Sequence, residues 1–327
     1  MNYSKIFEYI HKSPEIILVT HLNPDIDGLS SMLAFQLYLK FLKKISYPLV
    51  EEIPSNIDIL YGKESLIIPE KIGLPSSDAT VIVFDANSPE RIPEKVLIKI
   101  NHCRNFIIID HHQLDENRKK FSEEEILFID SAAPSTSFLI FKIFKEEGVS
   151  ITPQIAHNLL AGIYYDTGGF KYENTKEETF FVAGELCKYG ADPSFIARGI
   201  FDNIPLEEIN ALKKVLHRLE FLNSNTIVLS YLTYQDFEEL GSKEVGNLAN
   251  FLRSIKGVKV SVLIKEIEPN MISVSLRSKA PVEVVNFAKI FGGGGHKYAS
   301  GFRIKIESFS QFLNSFKEAL RSYYAEK

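Results

Sequence analysis

The sequence predicts an α/β protein with a doubly wound, mainly parallel sheet in its N-terminal domain, a helical connector, and a smaller α/β C-terminal domain with a mixed sheet. In the first part of the chain, short continuous apolar runs alternate with helical patterns. Such runs are typical of parallel strands that are buried on both faces. From Thr226 onward the runs mix apolar and polar residues, which is typical of half-buried strands.

The length of the chain indicates about two domains, because 327 residues exceed one typical core. We expect the N-terminal domain at 1–190, the helical connector at 191–223 and the C-terminal domain at 224–327. The net charge of −5 gives no overall basic field that would attract long nucleic acid. An anionic substrate would therefore have to be met by bound metal or by a few basic side chains.

Cysteine usage and hydropathy indicate the cellular setting. The two cysteines, Cys103 and Cys187, do not form a CxxC pair, which predicts reduced thiols and no structural zinc. The N-terminal segment lacks the apolar core of a signal peptide, and no apolar run approaches the roughly 20 residues needed to cross a bilayer. We therefore expect a cytoplasmic protein without a membrane segment.

The first predicted strand, Glu15–Thr20, ends in a polar loop. Pro24 disfavours helix before it, Gly28 permits a sharp turn, and a helical pattern follows from Leu29 to Lys43. Ligands collect beyond the carboxyl ends of parallel strands, so this loop is a candidate site. An Asx-turn with an N-cap for the next helix is the alternative reading for one of the two aspartates. The candidate metal ligands on this loop are His21, Asp25 and Asp27.

Later apolar segments end in the same way. The run Thr80–Phe84 is closed by an aspartate, Phe106–Ile109 runs into the tripeptide DHH, and the apolar helix Ile155–Tyr164 runs into YDTGG. Because the carboxyl ends of parallel strands meet at one edge of a sheet, we expect these side chains to converge with the first loop. The candidate site residues in these segments are Asp85, Asp110, His111, His112 and Asp166.

Two further strands and one helix complete the N-terminal prediction. Tyr47–Ile53 and Ile126–Ile129 are predicted strands, and Pro134–Glu147 is a predicted helix. Ser135 and Thr136 fall in the first turn of that helix. This position caps the helix or faces an anion.

The C-terminal domain carries a candidate anion site. Arg277 lies in a predicted strand, and Gly292–Gly295 precede His296. Consecutive glycine amides can form an anion-binding nest, although a flexible loop is the alternative. The run abuts a predicted helix, Val282–Phe291, and shares its domain with Arg277, which favours phosphate binding. Another helix is predicted over Lys243–Ser254.

Carboxylates with a minority of imidazoles suit a hard divalent ion such as Mn²⁺ or Mg²⁺. The number of carboxylates indicates two metals that share a bridging aspartate, roughly 3.5–4 Å apart. The sequence contains no GxxxxGK[ST] motif for P-loop chemistry and no GxSxG nucleophile elbow. We therefore expect phosphoester chemistry that uses metal-activated water.

These motifs resemble those of a known group. The segments HLNPDID, the strand end at Asp85, DHH and YYDTGGF are similar in order and spacing to the four motifs of the DHH phosphoesterase superfamily. The segments SLRSK and GGGGHKYASG resemble the DHH-associated C-terminal domain. Over residues 15–305 the chain most resembles the NrnA-type nanoRNase and pAp-phosphatase family, with Ile26 standing where that family usually has glycine.

The resemblance implies a role for each candidate residue. One Mn²⁺ would be held by His21, Asp25 and Asp85. The second would be held by Asp27, Asp85, His111 and Asp166, with Asp85 as the bridge. Asp110 would orient a histidine, and His112 would contact the scissile phosphate or protonate the leaving oxygen. The terminal phosphate or end nucleotide would be bound by Arg277, His296 and the amides of Gly293, Gly294 and Gly295.

The implied activity is that of an exonuclease that degrades short RNA to 5′-mononucleotides and also hydrolyses pAp to AMP. The implied domain arrangement puts the site in a cleft between the two domains, and a homodimer is compatible with it. Three alternatives remain at this point: a DHH-type inorganic pyrophosphatase or exopolyphosphatase, a cyclic or linear dinucleotide phosphodiesterase, and a non-catalytic nucleotide-binding module. A pyrophosphatase needs no nucleotide-sized clamp, which favours the nuclease reading.

Overall fold

A computed structural model describes residues 2–53, 57–115, 117–242, 245–246 and 248–325. The chain divides into two compact units, Met1–Asn203 and Ile204–Lys327. The division into a domain, a connector and a second domain remains a prediction. None of the helices in the described ranges is long and apolar enough to cross a membrane.

The first unit contains a five-stranded parallel sheet, as predicted, with the strand order β2-β1-β3-β4-β5. Successive residues of each central strand face opposite sides: Leu18 joins one apolar core and Val19 joins the other. Continuous apolar runs are required because both faces are buried. The strands are β1 (Ile16–Thr20), β2 (Ser46–Leu49), β3 (Thr80–Phe84), β4 (Asn105–Asp110) and β5 (Ile126–Ile129).

Helices cover both faces of this sheet, which confirms the doubly wound architecture. The larger core packs helices α1, α2 and α4 to α7 on one face, and α3 packs on the other. The helices are α1 (Ser4–Lys12), α2 (Ile26–Phe41), α3 (Glu94–Ile100), α4 (Thr136–Glu146), α5 (Pro153–Asp166), α6 (Glu177–Lys188) and α7 (Pro193–Phe201).

The second unit contains a six-stranded mixed sheet with the order β10-β11-β9-β8-β7-β6. Strands β7 and β8 are parallel, and the other neighbours are antiparallel. The strands are β6 (Glu220–Leu222), β7 (Ile227–Leu232), β8 (Val260–Glu268), β9 (Met271–Ser278), β10 (Gly294–His296) and β11 (Ala299–Lys305). The helices are α8 (Leu206–His217), α9 (Tyr234–Leu240), α10 (Leu248–Arg253), α11 (Val285–Ile290) and α12 (Phe309–Tyr323).

Several element boundaries differ from the sequence prediction. Helix α2 begins at Ile26 rather than Leu29, because Asp25 caps it: its carboxylate accepts a hydrogen bond of 3.1 Å from the amide of Gly28. Strand β2 ends at Leu49, earlier than predicted. Of the helix predicted over Lys243–Ser254, residues 243, 244 and 247 lie outside the described ranges, and Leu248–Arg253 is helical.

Candidate metal centre

The carboxyl ends of β1, β3 and β4 lie level with one another. Thr20 pairs with Phe84, and Phe84 pairs with Ile109. The residues that follow these three positions are therefore brought to the same edge of the sheet. Those residues are His21, Asp85 and Asp110. Asp85 turns out of its strand with a left-handed φ of 59°, a conformation that Asp tolerates better than most residues.

His21, Asp25 and Asp85 form one cluster, which we call the first triad. Their ligand atoms lie within 4.8 Å of one another. The Nε2 atom of His21 lies 3.4 Å from Asp85 Oδ2 and 3.7 Å from Asp25 Oδ1. Its Nδ1 atom lies 2.9 Å from the carbonyl oxygen of Leu22 and can donate to it, which directs Nε2 to the carboxylates.

Asp27, His111 and Asp166 form the second triad, again with ligand atoms within 4.8 Å of one another. His111 Nε2 lies 3.1 Å from Asp166 Oδ2 and 3.5 Å from Asp85 Oδ1. Its Nδ1 atom lies 3.4 Å from the carbonyl oxygen of Ala133. Asp85 thus belongs to the first triad and also contacts the second, the position that a shared ligand requires.

Asp27 is fully buried and is held by the start of helix α4. Its Oδ2 accepts a hydrogen bond of 2.7 Å from the amide of Thr136, and its Oδ1 accepts one of 3.0 Å from the amide of Ser137. The sequence indicated that this helix start could face an anion, and the anion is the carboxylate of Asp27. The structure also corrects the prediction that Asp27 lies in the polar loop before the helix, because it lies in the first turn of α2.

Asn87 was not among the candidates from sequence, and Thr136 was noted only as part of a helix start that caps the helix or faces an anion. The hydroxyl of Thr136 donates to Asp85 Oδ1 at 3.0 Å. The side-chain amide of Asn87 donates to Asp110 Oδ2 at 2.7 Å. Hydroxyl and amide side chains are too common in sequences to signal such positions. The one available hint was that both lie close to a predicted element end.

Asp110 and His112 form a closely bonded pair beside the triads. His112 Nδ1 lies 2.7 Å from Asp110 Oδ1, and the His112 amide donates to the same oxygen at 3.1 Å. Asp110 is fully buried, with Asn87 bonded to its other oxygen. This geometry fixes the orientation of the His112 ring. His112 Nδ1 also lies 3.4 Å from Asp85 Oδ1, which connects the pair to the triads.

The buried carboxylates repel one another strongly. Burial, together with the charges of Asp166 and Asp85, raises the pKa of Asp27 well above its usual value. Burial also raises the pKa of Asp166 to about 6, against the lowering effect of His111. Such crowding of acidic groups away from water is costly unless positive charge is present among them. A bound cation would supply that charge.

The pKa values of the imidazoles are also raised, but by the neighbouring carboxylates and against the effect of burial. Burial by itself lowers the pKa of His21, but Asp25 and Asp85 outweigh burial and raise that pKa to about 10. Burial likewise opposes the effect of Asp110 and Asp85 on His112, whose pKa is raised to about 9. The surrounding carboxylates thus favour the protonated form of each imidazole. The donors are carboxylate oxygens and imidazole nitrogens, a set that fits hard divalent cations such as Mn²⁺ or Mg²⁺.

The second unit contains the predicted anion-binding residues. Gly294–His296 form strand β10, which pairs with β11, so the last two glycines of the run lie in a strand. Gly293 packs so closely against β11 that a Cβ atom there would lie 2.2 Å from the carbonyl oxygen of Gly301. Arg277 and Gly294 line the same open groove, which has a volume of about 420 Å³.

Comparison with known proteins agrees with this architecture. The DHH family N-terminal domain matches residues 15–163, and the DHHA1 domain matches residues 225–322. The bifunctional oligoribonuclease and PAP phosphatase NrnA of Thermus thermophilus is 30% identical over 94% of this chain and 89% of its own length. The protein of the same description from Bacillus subtilis is 29% identical over 88% of this chain and 89% of its own length.

A solved structure supports the fold. An exopolyphosphatase-related protein from Bacteroides fragilis superposes with a TM-score of 0.86 and 24% sequence identity, covering 98% of this chain and 96% of that chain. The two domain matches lie in the order that the motifs predicted. The chain therefore belongs to the DHH family of phosphoesterases and carries a DHHA1 domain after its DHH domain.

Proposed function

We propose that this protein is a manganese-dependent phosphodiesterase that degrades short RNA oligonucleotides to 5′-mononucleotides and hydrolyses pAp to AMP. The observation that carries the proposal is the position of Asp85, which belongs to one metal-ligand triad and lies 3.5 Å from a histidine of the other. The substrates are proposed from the relatives described as oligoribonucleases and PAP phosphatases.

We assign the two triads to two divalent cations, with Asp85 between them. The first cation would be held by His21, Asp25 and Asp85, and the second by Asp27, Asp85, His111 and Asp166. When bound, such cations activate water and offset the charge of the phosphoryl group. The chain contributes preorganisation: each liganding imidazole is oriented by a carbonyl oxygen at its other ring nitrogen, and Asp27 is held by the start of α4.

We assign His112 to the substrate. Asp110 holds its ring through Nδ1, and Asn87 holds Asp110 in turn. The other ring nitrogen would then contact the scissile phosphate or give a proton to the leaving oxygen. Proton transfer to a leaving group requires a ring held within hydrogen-bond reach, and the pair with Asp110 provides that rigidity. Asp110 is therefore a positioning residue.

We assign the terminal phosphate or end nucleotide of the substrate to the second unit. Arg277 and His296, with the amides of Gly294 and Gly295, would bind it. The amide of Gly293, which was also a candidate from the sequence, instead donates at 3.0 Å to the carbonyl oxygen of Ala288. A guanidinium group matches a phosphate in a bidentate manner, and strand β10 presents bare glycine backbone next to the groove. A site that requires a phosphate-bearing end favours short oligonucleotides and pAp over internal positions of long RNA.

The proposal is tested by turnover with defined substrates. Purified protein is incubated with pAp, with RNAs of increasing length labelled at either end, and with pyrophosphate, each with Mn²⁺, Mg²⁺ or EDTA. We expect Mn²⁺-dependent release of mononucleotides from short RNA and of phosphate from pAp. Absence of both activities, or pyrophosphate hydrolysis much faster than that of pAp, would overturn it.

A matched pair of variants ties the activity to the site. Asp85→Asn is expected to abolish turnover while labelled RNA still binds. Asp78→Asn removes an exposed carboxylate that pairs only loosely with Arg104, at 3.6 Å, and is expected to keep full activity. Loss of binding together with turnover in Asp85→Asn would leave the reading as a nucleotide-binding module open, and intact binding with lost turnover would close it.

A further inference from the structure

Three basic residues share one face of the sheet in the second unit. Lys265 on β8 pairs with Ser273 on β9, and Ser273 pairs with Arg303 on β11. Directly opposed residues point to the same side of a sheet, so the side chains of Lys265, Ser273 and Arg303 form one row. Arg277 lies four residues beyond Ser273 on the same strand and therefore on the same face.

Between Ser273 and Arg277, this face of β9 and β11 carries only small side chains. Ser275 pairs with Gly301 midway between Ser273 and Arg277, so the middle row carries only a hydroxymethyl group and a hydrogen on these strands. Four residues of strand cover about 13 Å. The groove of about 420 Å³ is lined by Ser273, Ser275, Arg277, Gly301 and Arg303. It is therefore an elongated groove with an arginine toward each end.

The three basic side chains lie close enough for their positive charges to repel one another. Burial lowers the pKa of Lys265, and the charges of Arg303 and Arg277 lower it further. The adjacent acidic residue, Glu266, is engaged elsewhere, because its carboxylate accepts hydrogen bonds from the amides of Tyr234 at 3.0 Å and Asn270 at 3.3 Å. Gathering three like charges on a partly buried surface costs free energy that an anionic ligand would offset.

The hydrophobic core does not require these residues. The opposite face of β9 and β11 carries Ile272, Val274 and Phe302, which pack with helices α11 and α12 through Phe287 and Phe316. Serines and cations on the groove face therefore have no packing role in that core. The strand alternation of β9, apolar on one face and polar on the other, separates the core from the groove.

We propose that Lys265, Ser273 and Arg303 form a second phosphate subsite, which binds a backbone phosphate of the RNA beyond the phosphate assigned to Arg277. The identity of this ligand rests on the proposed function. A guanidinium fork, an ammonium group and a hydroxyl donor together match a phosphodiester. The proposed function already assigns both phosphates of pAp, so only longer oligonucleotides carry a further phosphate for the second subsite.

The test uses Lys265→Met and Arg303→Gln with matched controls elsewhere in the same unit. Lys289→Met and Arg321→Gln remove an exposed lysine on α11 and an exposed arginine on α12 that pairs with Glu318. Two readouts are compared: anisotropy of a labelled RNA pentanucleotide with EDTA present at several salt concentrations, and kcat/KM for the pentanucleotide and for pAp with Mn²⁺.

Each subsite variant is expected to weaken pentanucleotide binding about tenfold, the effect of removing one charged hydrogen bond. The slope of log Kd against log salt should become shallower by about 0.7 for each phosphate that the variant no longer neutralises. The ratio of kcat/KM for the pentanucleotide to that for pAp should fall about tenfold. Both control variants are expected to retain the wild-type slope and ratio.

The outcomes separate this inference from the proposed function. The wild type could cleave RNA and pAp while the subsite variants keep its kcat/KM ratio and its slope of log Kd against log salt. That result would contradict the second subsite and leave the proposed function intact. If the wild type has no turnover, the function is wrong, and a reduced salt slope in the variants still supports a phosphate subsite. If the wild type neither binds nor cleaves the pentanucleotide, both are wrong.

Discussion

The carboxylate of Asp27 accepts a hydrogen bond of 2.7 Å from the backbone amide of Thr136, which joins the first turn of α2 to the first turn of α4. The hydroxyl of the same threonine donates to Asp85 Oδ1 at 3.0 Å. One residue therefore orients a carboxylate from each triad. The positive end of the α4 dipole also faces a buried acid, which lowers the cost of keeping that acid charged.

Thr136→Val tests the hydroxyl alone, because the backbone amide that holds Asp27 remains. We expect Mn²⁺ affinity or kcat to fall 10- to 100-fold, roughly the range for partners that orient metal ligands. Calorimetric titration with Mn²⁺ and turnover of pAp measure the two quantities. Thr136→Ser keeps a hydroxyl and should restore most of the loss. A valine variant that matches the wild type in both would show that the hydrogen bond to Asp85 has no effect.

Asn87→Ala tests the positioning of His112. Without the amide donor at 2.7 Å, the buried carboxylate of Asp110 is held less firmly, and so is the His112 ring bonded to it. We expect kcat for pAp to fall about tenfold with little change in KM, since removing one charged hydrogen bond costs about 1.5 kcal/mol.

Asn105→Ala is the matched control for Asn87. Asn105 lies at the opposite end of β4, and its amide donates at 3.3 Å to the carbonyl oxygen of Asp78. Its removal should leave kcat unchanged. An equal fall of kcat in both variants would mean that Asn87 acts through general stability rather than through His112.

Gly162→Ala tests the close approach of α5 to the metal centre. A Cβ atom at Gly162 would lie 2.0 Å from Ser137 Oγ and 2.5 Å from Asp27 Oδ1, so α2, α4 and α5 would have to separate. We expect about 1–3 kcal/mol of destabilisation from overpacking, together with weaker Mn²⁺ binding. Urea unfolding followed by circular dichroism measures the free energy.

Gly184→Ala provides the control for the helix-propensity part of that change. No atom lies within 4 Å of the Cβ position at Gly184 on helix α6. Alanine there should stabilise the protein by up to about 1 kcal/mol, since it is the better helix former. If both substitutions shift the unfolding midpoint in the same direction, the packing argument for Gly162 is wrong.

Metal removal should destabilise the first unit. With EDTA the carboxylates of Asp27, Asp85 and Asp166 lose the cations that we assign to them. Mn²⁺ at about 100 times its Kd should add about 2.7 kcal/mol to the free energy of unfolding. Thermal unfolding with increasing Mn²⁺ measures the rise in Tm. Asp85→Asn should suppress that rise, and Asp78→Asn should retain it; an identical rise in both would place the metals elsewhere.

Asp236 gives a pH-dependent contribution to stability in the second unit. Its carboxylate accepts from the guanidinium of Arg218 at 3.0 Å and from the amide of Thr233 at 2.7 Å, and lies 3.0 Å from Lys214 Nζ. Burial would raise the pKa of Asp236, but Arg218, Thr233 and Lys214 lower it well below its usual value. The contribution is therefore present above the unfolded pKa of about 3.9 and is lost as the pH falls through the lower folded value.

Asp236→Asn should cost about 2 kcal/mol at neutral pH, less than a fully buried pair because the side chains of Lys214 and Arg218 are 28% and 27% exposed. Urea unfolding at neutral and acidic pH should show the difference from wild type shrinking as the pH falls below about 4. Glu64→Gln, which breaks an exposed pair of 3.8 Å with Lys40, should change little. A difference that persists in acid would contradict the assignment.

The sequence by itself was sufficient for the architecture and for most candidate ligands. Apolar runs that end in polar residues predicted parallel strands, and the carboxyl ends of such strands must meet at one edge. The sequence therefore predicts that His21, Asp85 and His111 lie together, and in the structure both histidines lie within 3.5 Å of Asp85. This inference works because strand direction and side-chain chemistry are both local properties of the chain.

The tertiary structure alone decided how the site is held and where further contacts lie. Asn87 carries no signal in the sequence, and the sequence marked Thr136 only as part of a helix start. Their contacts with Asp110 and Asp85 arise from the packing of α4 and of the β3 end against β4. The row of Lys265, Ser273 and Arg303 depends on the pairing register of three strands. Register and helix packing are set by contacts between residues far apart in the chain, so no local pattern records them.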